Sequence, residues 1–127
     1  MVYLEKKRWS TSKKQTYDGY LYDSKFEAGY AQELDLRVKA KDIKSWEKQK
    51  KLELVVNNYV VCTYKIDFII THNDDSLEYV ETKGYATPIW RLKWKLFEAL
   101  YGDKPGVQLT VIKQASNWNM RKLKKKK

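Results

Sequence analysis

Between Val60 and Thr71 the odd and even positions part company. Val60, Cys62, Tyr64, Ile66, Phe68 and Ile70 form an apolar set, while Val61, Thr63, Lys65, Asp67, Ile69 and Thr71 form a mixed one, which is the two-residue period of a β-strand. The run His72-Asn73-Asp74-Asp75-Ser76 is polar and turn-prone. Alternation then resumes from Leu77 to Lys83, with Leu77, Tyr79, Glu81 and Lys83 on a common side. The pattern predicts an antiparallel hairpin. If its loop sets Thr71 opposite Leu77, equal steps back along one strand and forward along the other bring Asp67 opposite Glu81.

Upstream the period changes. Ser24-Lys25-Phe26-Glu27 fits a capping box, and Phe26, Tyr30, Leu34 and Val38 recur at every fourth residue, predicting a helix that fades near Lys41. Ile43 to Gln49 and Leu52 to Val56 read as two strands, with Asn57-Asn58 a turn into the Asp67 strand. Thr87-Pro88 opens a second helix as cap and first-turn proline, Gly102 closes it, and Val107 to Gln114 is a last strand. Residues 1–22 read as an irregular or hairpin-forming arm with Asp18-Gly19 as a tight turn. The expected fold class is α/β, a mixed sheet of four to five strands flanked by helices in the order α-β-β-β-α-β. A single domain over residues 1–119 is expected, followed by a basic tail over 120–127.

The hairpin carries the candidate chemistry. Facing residues share a side of the sheet with Cβ atoms roughly 4.5–5.5 Å apart, and two carboxylates there repel unless something compensates them. A divalent cation does so, and Mg²⁺ takes oxygen ligands, commonly one or two carboxylates with waters and phosphate oxygens. Lys83 projects from the same side about 7 Å beyond Glu81, where it can orient or deprotonate an attacking water or neutralise charge on a phosphate. Gly84 then ends the strand and leaves room for a backbone to approach. An ordinary exposed hairpin with solvated Glu81 and Lys83 accounts for the same spacing.

Two helical residues extend the group. On a helical wheel Glu27 falls within the sector of Phe26, Tyr30, Ala31 and Leu34 and points at the core. There it either closes the capping box on the Ser24 N–H or joins Asp67 and Glu81, directly or through a metal-bound water. Lys93 falls among Ile89, Leu96, Phe97 and Leu100, opposite Arg91, Lys95 and Glu98. It either snorkels along the helix edge or meets acidic residues or a bound phosphate. Trp90 and Trp94 flank that stripe and either pack on the sheet or stack on a base.

Composition narrows the partners. The net charge is +10, six positive charges lie in the last seven residues, and the remainder still carries +4. Nucleic acid, an anionic membrane surface or an acidic protein would all be attracted, and ten tyrosines with five tryptophans favour nucleic acid by offering stacking surfaces. The cationic candidates for nucleic-acid contact are Lys65, Lys93, Arg121, Lys122, Lys124 and Lys125. The tail's cations read equally as a solubilising end. The single cysteine, Cys62, excludes an intramolecular disulfide and reads as a buried small hydrophobe. The single histidine, His72, gives little support to zinc or to a serine–histidine mechanism. With no secretory signal and no long apolar run, a cytoplasmic protein without a membrane partner is expected.

The motifs in order carry a family resemblance. A helix with Glu27, the strand YKIDFII, the strand YVETKG and a following helix resemble the PD-(D/E)XK, or restriction-endonuclease-like, nuclease superfamily. YDGYLYDSKFEAGYAQEL, SWEKQ and RLKWKLFEALYG add a similarity to a small phage-associated family of such nucleases related to Holliday-junction resolvases, over about Tyr17 to Val111. The resemblance implies a restriction-endonuclease-like core and Mg²⁺ bound by Asp67 and Glu81, with Mn²⁺ as a substitute. It also implies the Thr82 carbonyl completing the metal site, Glu27 as an accessory acidic ligand and a catalytic Lys83. The proline of the superfamily's name is absent, since Ile66 precedes Asp67, but the acid itself is in place. The implied activity is a phage-encoded, Mg²⁺-dependent endodeoxyribonuclease of branched DNA, acting as a homodimer in a bacterial host and leaving a 5′-phosphate and a 3′-hydroxyl. Two alternatives stand beside it: an endonuclease of DNA ends, replication intermediates or short sequence sites, and a non-catalytic basic module that binds nucleic acid.

Overall fold

The structure, a computed structural model, describes residues 2–6, 15–18, 20–22, 24–114 and 125–126. Its elements in chain order are β1 (Val2–Lys6), β2 (Gln15–Tyr17), β3 (Tyr20–Tyr22), α1 (Lys25–Lys39), β4 (Ser45–Val56), β5 (Tyr59–Thr71), β6 (Leu77–Lys83), α2 (Pro88–Tyr101) and β7 (Val107–Gln114). From α1 to β7 this is the expected α-β-β-β-α-β order of a restriction-endonuclease-like core. Five strands form one mixed sheet in the order β1-β7-β6-β5-β4, and β2 and β3 form a separate two-stranded ribbon. β4, β5 and β6 are antiparallel neighbours, whereas β7 runs parallel to β6, the pairing that a helical crossover through α2 permits.

Both helices start where the chain supplies caps. The Ser24 hydroxyl accepts from the Glu27 amide at 3.1 Å, and the Thr87 hydroxyl accepts from the Trp90 amide at 3.1 Å with Pro88 in the first turn. Each helix covers one face of the sheet. Phe26, Tyr30, Ala31 and Leu34 of α1 pack with Phe68, Ile70, Val80 and Ile112. Trp90, Trp94 and Phe97 of α2 pack with Ile69, Tyr79, Leu109 and Val111. Neighbouring residues on β6 and β7 thus divide between two cores, giving three layers. Asp35 of α1 accepts from the Trp46 indole at 3.0 Å and from the Tyr17 hydroxyl, fastening β4 and the β2–β3 ribbon to the helix.

The hairpin register is the expected one. Thr71 faces Leu77, and pairing continues through Ile70 with Glu78 and Ile69 with Tyr79 to Phe68 with Val80. Asp18, at φ 51°, closes the β2–β3 ribbon, its expected companion Gly19 lying outside the described residues, while Asn57 and Asn58, at φ 51° and 69°, join β4 to β5.

Three expectations are corrected. Ile43 to Gln49 and Leu52 to Val56 are not two strands: Ser45 to Val56 is one, because the polar run between them pairs with Ile66 and Lys65 across the ladder. The arm is more than a hairpin, since Val2–Lys6 adds a parallel edge strand to the main sheet beside β7. Nor does β5 keep one apolar face. Tyr64 and Ile66 join the α2 core, Phe68 and Ile70 join the α1 core, and Val60 is exposed. The face changes at Asp67, where the ladder to β4 passes from Lys48–Phe68 to Lys50–Ile66 and Gln49 takes a φ of 51°.

Candidate active site

Asp67 stands at this irregularity, and its carboxylate replaces backbone as the link to β6. Beyond Phe68–Val80 the β5–β6 ladder lapses, and the Thr82 amide and hydroxyl donate instead to Asp67 Oδ2 at 3.0 and 2.9 Å. A backbone amide freed from the ladder must find another acceptor when buried, and a carboxylate is a strong one. Glu81, the residue after the last position of β6 paired with β5, is also buried, at 3 % exposure.

Lys83 Nζ lies 3.4 Å from Glu81 Oε2 and 5.0 Å from the centre of the Trp90 ring. The Trp90 indole donates to the Tyr64 hydroxyl at 3.1 Å, which ties α2 to the strand carrying Asp67. Glu81 Oε1 is buried and accepts no hydrogen bond. Such an orphaned carboxylate oxygen is costly in a folded chain.

Glu27 enters from α1. Its amide is used by the Ser24 cap, its Oε2 accepts from the Gln49 side chain at 3.4 Å, and its carboxyl hydrogen-bonds Asp67. Half of the expected capping box is therefore present, and the Glu27 carboxyl turns toward the acidic group. Burial is the first cause that raises the Asp67 carboxyl above its ordinary value, against hydrogen bonds from Glu27 and Thr82 and the charge of Lys83. Burial and then the charge of Asp67 push Glu81 up to about 8, with Lys83 and the Tyr64 hydroxyl relieving only part.

The acidic group floors a pocket of about 490 Å³ that includes Ser24, Glu27, Tyr64, Asp67, Glu81 and Thr82. Lys65, Lys83, Lys93, Tyr85, Ile89 and Trp90 also line it. Lys93 reaches it by donating to the Thr63 carbonyl at 3.1 Å, half-buried at the rim rather than within the core. The stripe expected around Lys93 is rotated: Trp90, Trp94 and Phe97 form its centre, while Ile89 is exposed. The two tryptophans pack on the sheet, because their area and their contacts with Tyr64 outweigh what the lysine stem buries.

Lys125 is not among the residues that line the pocket. Lys125 pairs with Asp103 at 2.9 Å, both exposed, at the far end of α2 and about 20 Å of helix from the pocket mouth. Arg121, Lys122 and Lys124 lie outside the described residues. Cys62 is partly buried against the α2 core, and His72 pairs with Glu78 at 2.8 Å on the opposite side of the sheet's end loop. Sequence reasoning missed Gln49, Tyr64 and Tyr85. Gln49 was visible only as the last residue of SWEKQ, and Tyr64 as one more apolar strand position.

A family model described as "Protein of unknown function (DUF1064)" matches residues 7–125. The chain belongs to this family. No curated protein and no solved structure matches it. Among the described residues of this DUF1064 member, no group of three His, Cys, Asp or Glu side chains converges as a ready-made cation site. No described helix is long and apolar enough to cross a membrane. The arrangement consists of two buried, coupled carboxyls, a third hydrogen-bonded to one of them and a lysine against the other, opening into a pocket with further lysines at its rim. It can hold a cation, orient water and receive a phosphate.

Proposed function

We propose that the chain is a metal-dependent DNA endonuclease that hydrolyses phosphodiester bonds and prefers branched DNA, acting as a homodimer. The observation that carries the reading is Glu81 Oε1, a buried carboxylate oxygen without a hydrogen bond, beside the buried carboxyl of Asp67. Such a pair is costly alone and suits a hard cation, so the donor set fits Mg²⁺ or Mn²⁺. Asp67 and Glu81 would hold it, with the Thr82 carbonyl and Glu27 as further oxygen donors. When bound, the cation supplies charge stabilisation of the phosphoryl oxygens and a more acidic water.

The chain's own groups do the rest. Thr82 fixes the Asp67 carboxylate through two hydrogen bonds to one oxygen, so its other oxygen keeps one direction. Lys83, braced by Glu81 and the Trp90 ring, carries a positive charge for the scissile phosphate and hydrogen-bonds the attacking water. Lys65 and Lys93 at the rim receive flanking phosphates. A chain of 127 residues in which this one unit holds both core and pocket is suited to reading shape and backbone rather than a long sequence.

The test is cleavage of linear, flapped, forked and four-way DNAs in Mg²⁺ or Mn²⁺. Wild type should cut the branched forms, and Asp67→Ala, Glu81→Ala and Lys83→Ala should each lose at least about 100-fold in rate while still binding DNA. Cleavage of none of the panel would sink the enzyme reading and leave a basic binding module. Preference for linear ends or short sequence sites would move the reading to the other endonuclease class.

A further inference from the structure

Beside the acidic floor the pocket has an apolar lip that none of this chemistry uses. Tyr85 is 74 % exposed and Ile89 is 70 % exposed, yet both line the same pocket as Asp67, Glu81 and Lys83. Tyr85 lies two residues after Lys83, in the bend that leads from β6 into α2. The bend is anchored on both sides: before it Lys83 pairs with Lys113 in the sheet, and after it Ala86 is buried in the α2 core and Thr87 caps α2. The exposure of Tyr85 is therefore built into the bend rather than a result of fraying. Among the described residues Tyr85 makes no hydrogen bond or ring contact, although twelve described aromatics of this chain lie in the two cores or packed against them.

Charge indicates what this ring meets. Lys65 and Lys93 stand at the same rim, and among the described residues neither makes an ion pair. An exposed aromatic sharing a pocket with lysines that make no ion pair is a platform for a nucleobase flanked by phosphates, since every base has a π-face and every linkage a charge. A base within a continuous duplex has both faces covered by its neighbours and cannot use it. A pocket of about 490 Å³ is of the size that holds one small ligand, far short of a duplex.

We propose that Tyr85 stacks on an unpaired base next to the phosphate held over Asp67, Glu81 and Lys83, so that the pocket selects DNA with an unstacked nucleotide at that position. Ile89 closes the other side of the base, and Lys65 and Lys93 hold the neighbouring phosphates. The inference rests on the nuclease reading for what the acidic floor does, but not for the stacking itself. It accounts for a preference for branched DNA, because branch points, flaps and gaps expose bases that a duplex hides.

Binding without cleavage tests it. Wild type, Tyr85→Ala and Tyr85→Phe are titrated in EDTA against equal-length DNAs carrying 2-aminopurine: a perfect duplex, a single strand, and a duplex with one unpaired 2-aminopurine. Wild type should bind the two unpaired forms more tightly than the duplex and quench their fluorescence. Tyr85→Ala should weaken those two forms about 5- to 100-fold, abolish the quench and leave duplex affinity within about twofold, whereas Tyr85→Phe should behave as wild type. Lys65→Ala and Lys93→Ala should weaken all three DNAs alike. The proposal is overturned if wild type does not favour the unpaired forms, or if Tyr85→Ala weakens all three equally or none. Loss of cleavage by every DNA with the quench intact would overturn the nuclease reading alone.

Discussion

Glu81 shows how a single residue can be read from sequence in position but not in energy. Alternation from Leu77 to Lys83 set it on the side of Tyr79 and Lys83, and the expected register, which the ladder keeps as far as Phe68 with Val80, brought it near Asp67. What alternation could not show is that β5 changes face at Asp67, since one unpaired residue leaves no mark on a hydrophobic pattern. Glu27 was legible from its place on the wheel, whereas Gln49 and Tyr64 were not, because their partners come from other elements. The burial of Glu81 has a pH consequence. Its folded value, about 8, exceeds its ordinary 4.5, so the folded chain holds the proton more tightly. Its stabilising contribution is complete below about pH 4.5 and is lost as pH rises through about 8. Glu81→Gln removes the charge and keeps the shape, so in EDTA at pH 9 it should be more stable than wild type by about 1–3 kcal/mol. At pH 5 the two should melt together. Thermal melts at both pH values check this, and a variant less stable than wild type at pH 9 would contradict the account.

At the scale of elements, signals that are local in sequence were the most legible. Ser24, Thr87-Pro88 and Gly102 mark the helix ends, and Asn57-Asn58 marks a turn, because caps and tight turns are made by their own residues. β1 and the unity of β4 were not legible, because both depend on partners distant in the chain: β1 exists through β7, and β4 holds together through β5. The cap at Thr87 matters for the site because the first turn of α2 carries Ile89 and Trp90, and the next carries Lys93. Thr87→Ala removes the acceptor of the Trp90 amide and should cost about 1 kcal/mol, or a few degrees of melting temperature in a chain of this size. Thr87→Ser should restore it. If Thr87→Ala melts with wild type, the cap contributes nothing to α2.

Across the whole molecule, the α/β layers were legible because helix and strand periods alternate along the chain, and the sheet order was not, because β1 and β7 meet from opposite ends of the sequence. Charge is distributed over the same scale. The chain carries +10 in all and +4 without its last seven residues, so attraction to DNA has a body term and a tail term. The one described ion pair of that tail, Lys125 with Asp103, joins two exposed groups far from the pocket and contributes little energy. Charges of this kind, concentrated at one end of the chain, act on encounter and affinity rather than on the bond being cut. Deleting residues 121–127 should flatten the dependence of log affinity on log salt by about 3–5 between 50 and 200 mM NaCl, with the effect equal for duplex and branched DNA. Cleavage of saturated substrate should stay within about twofold, because charge that attracts DNA as a whole holds ground state and transition state alike. An unchanged slope would remove the tail from the binding surface, and a lost turnover with unchanged slope would assign it to the site instead.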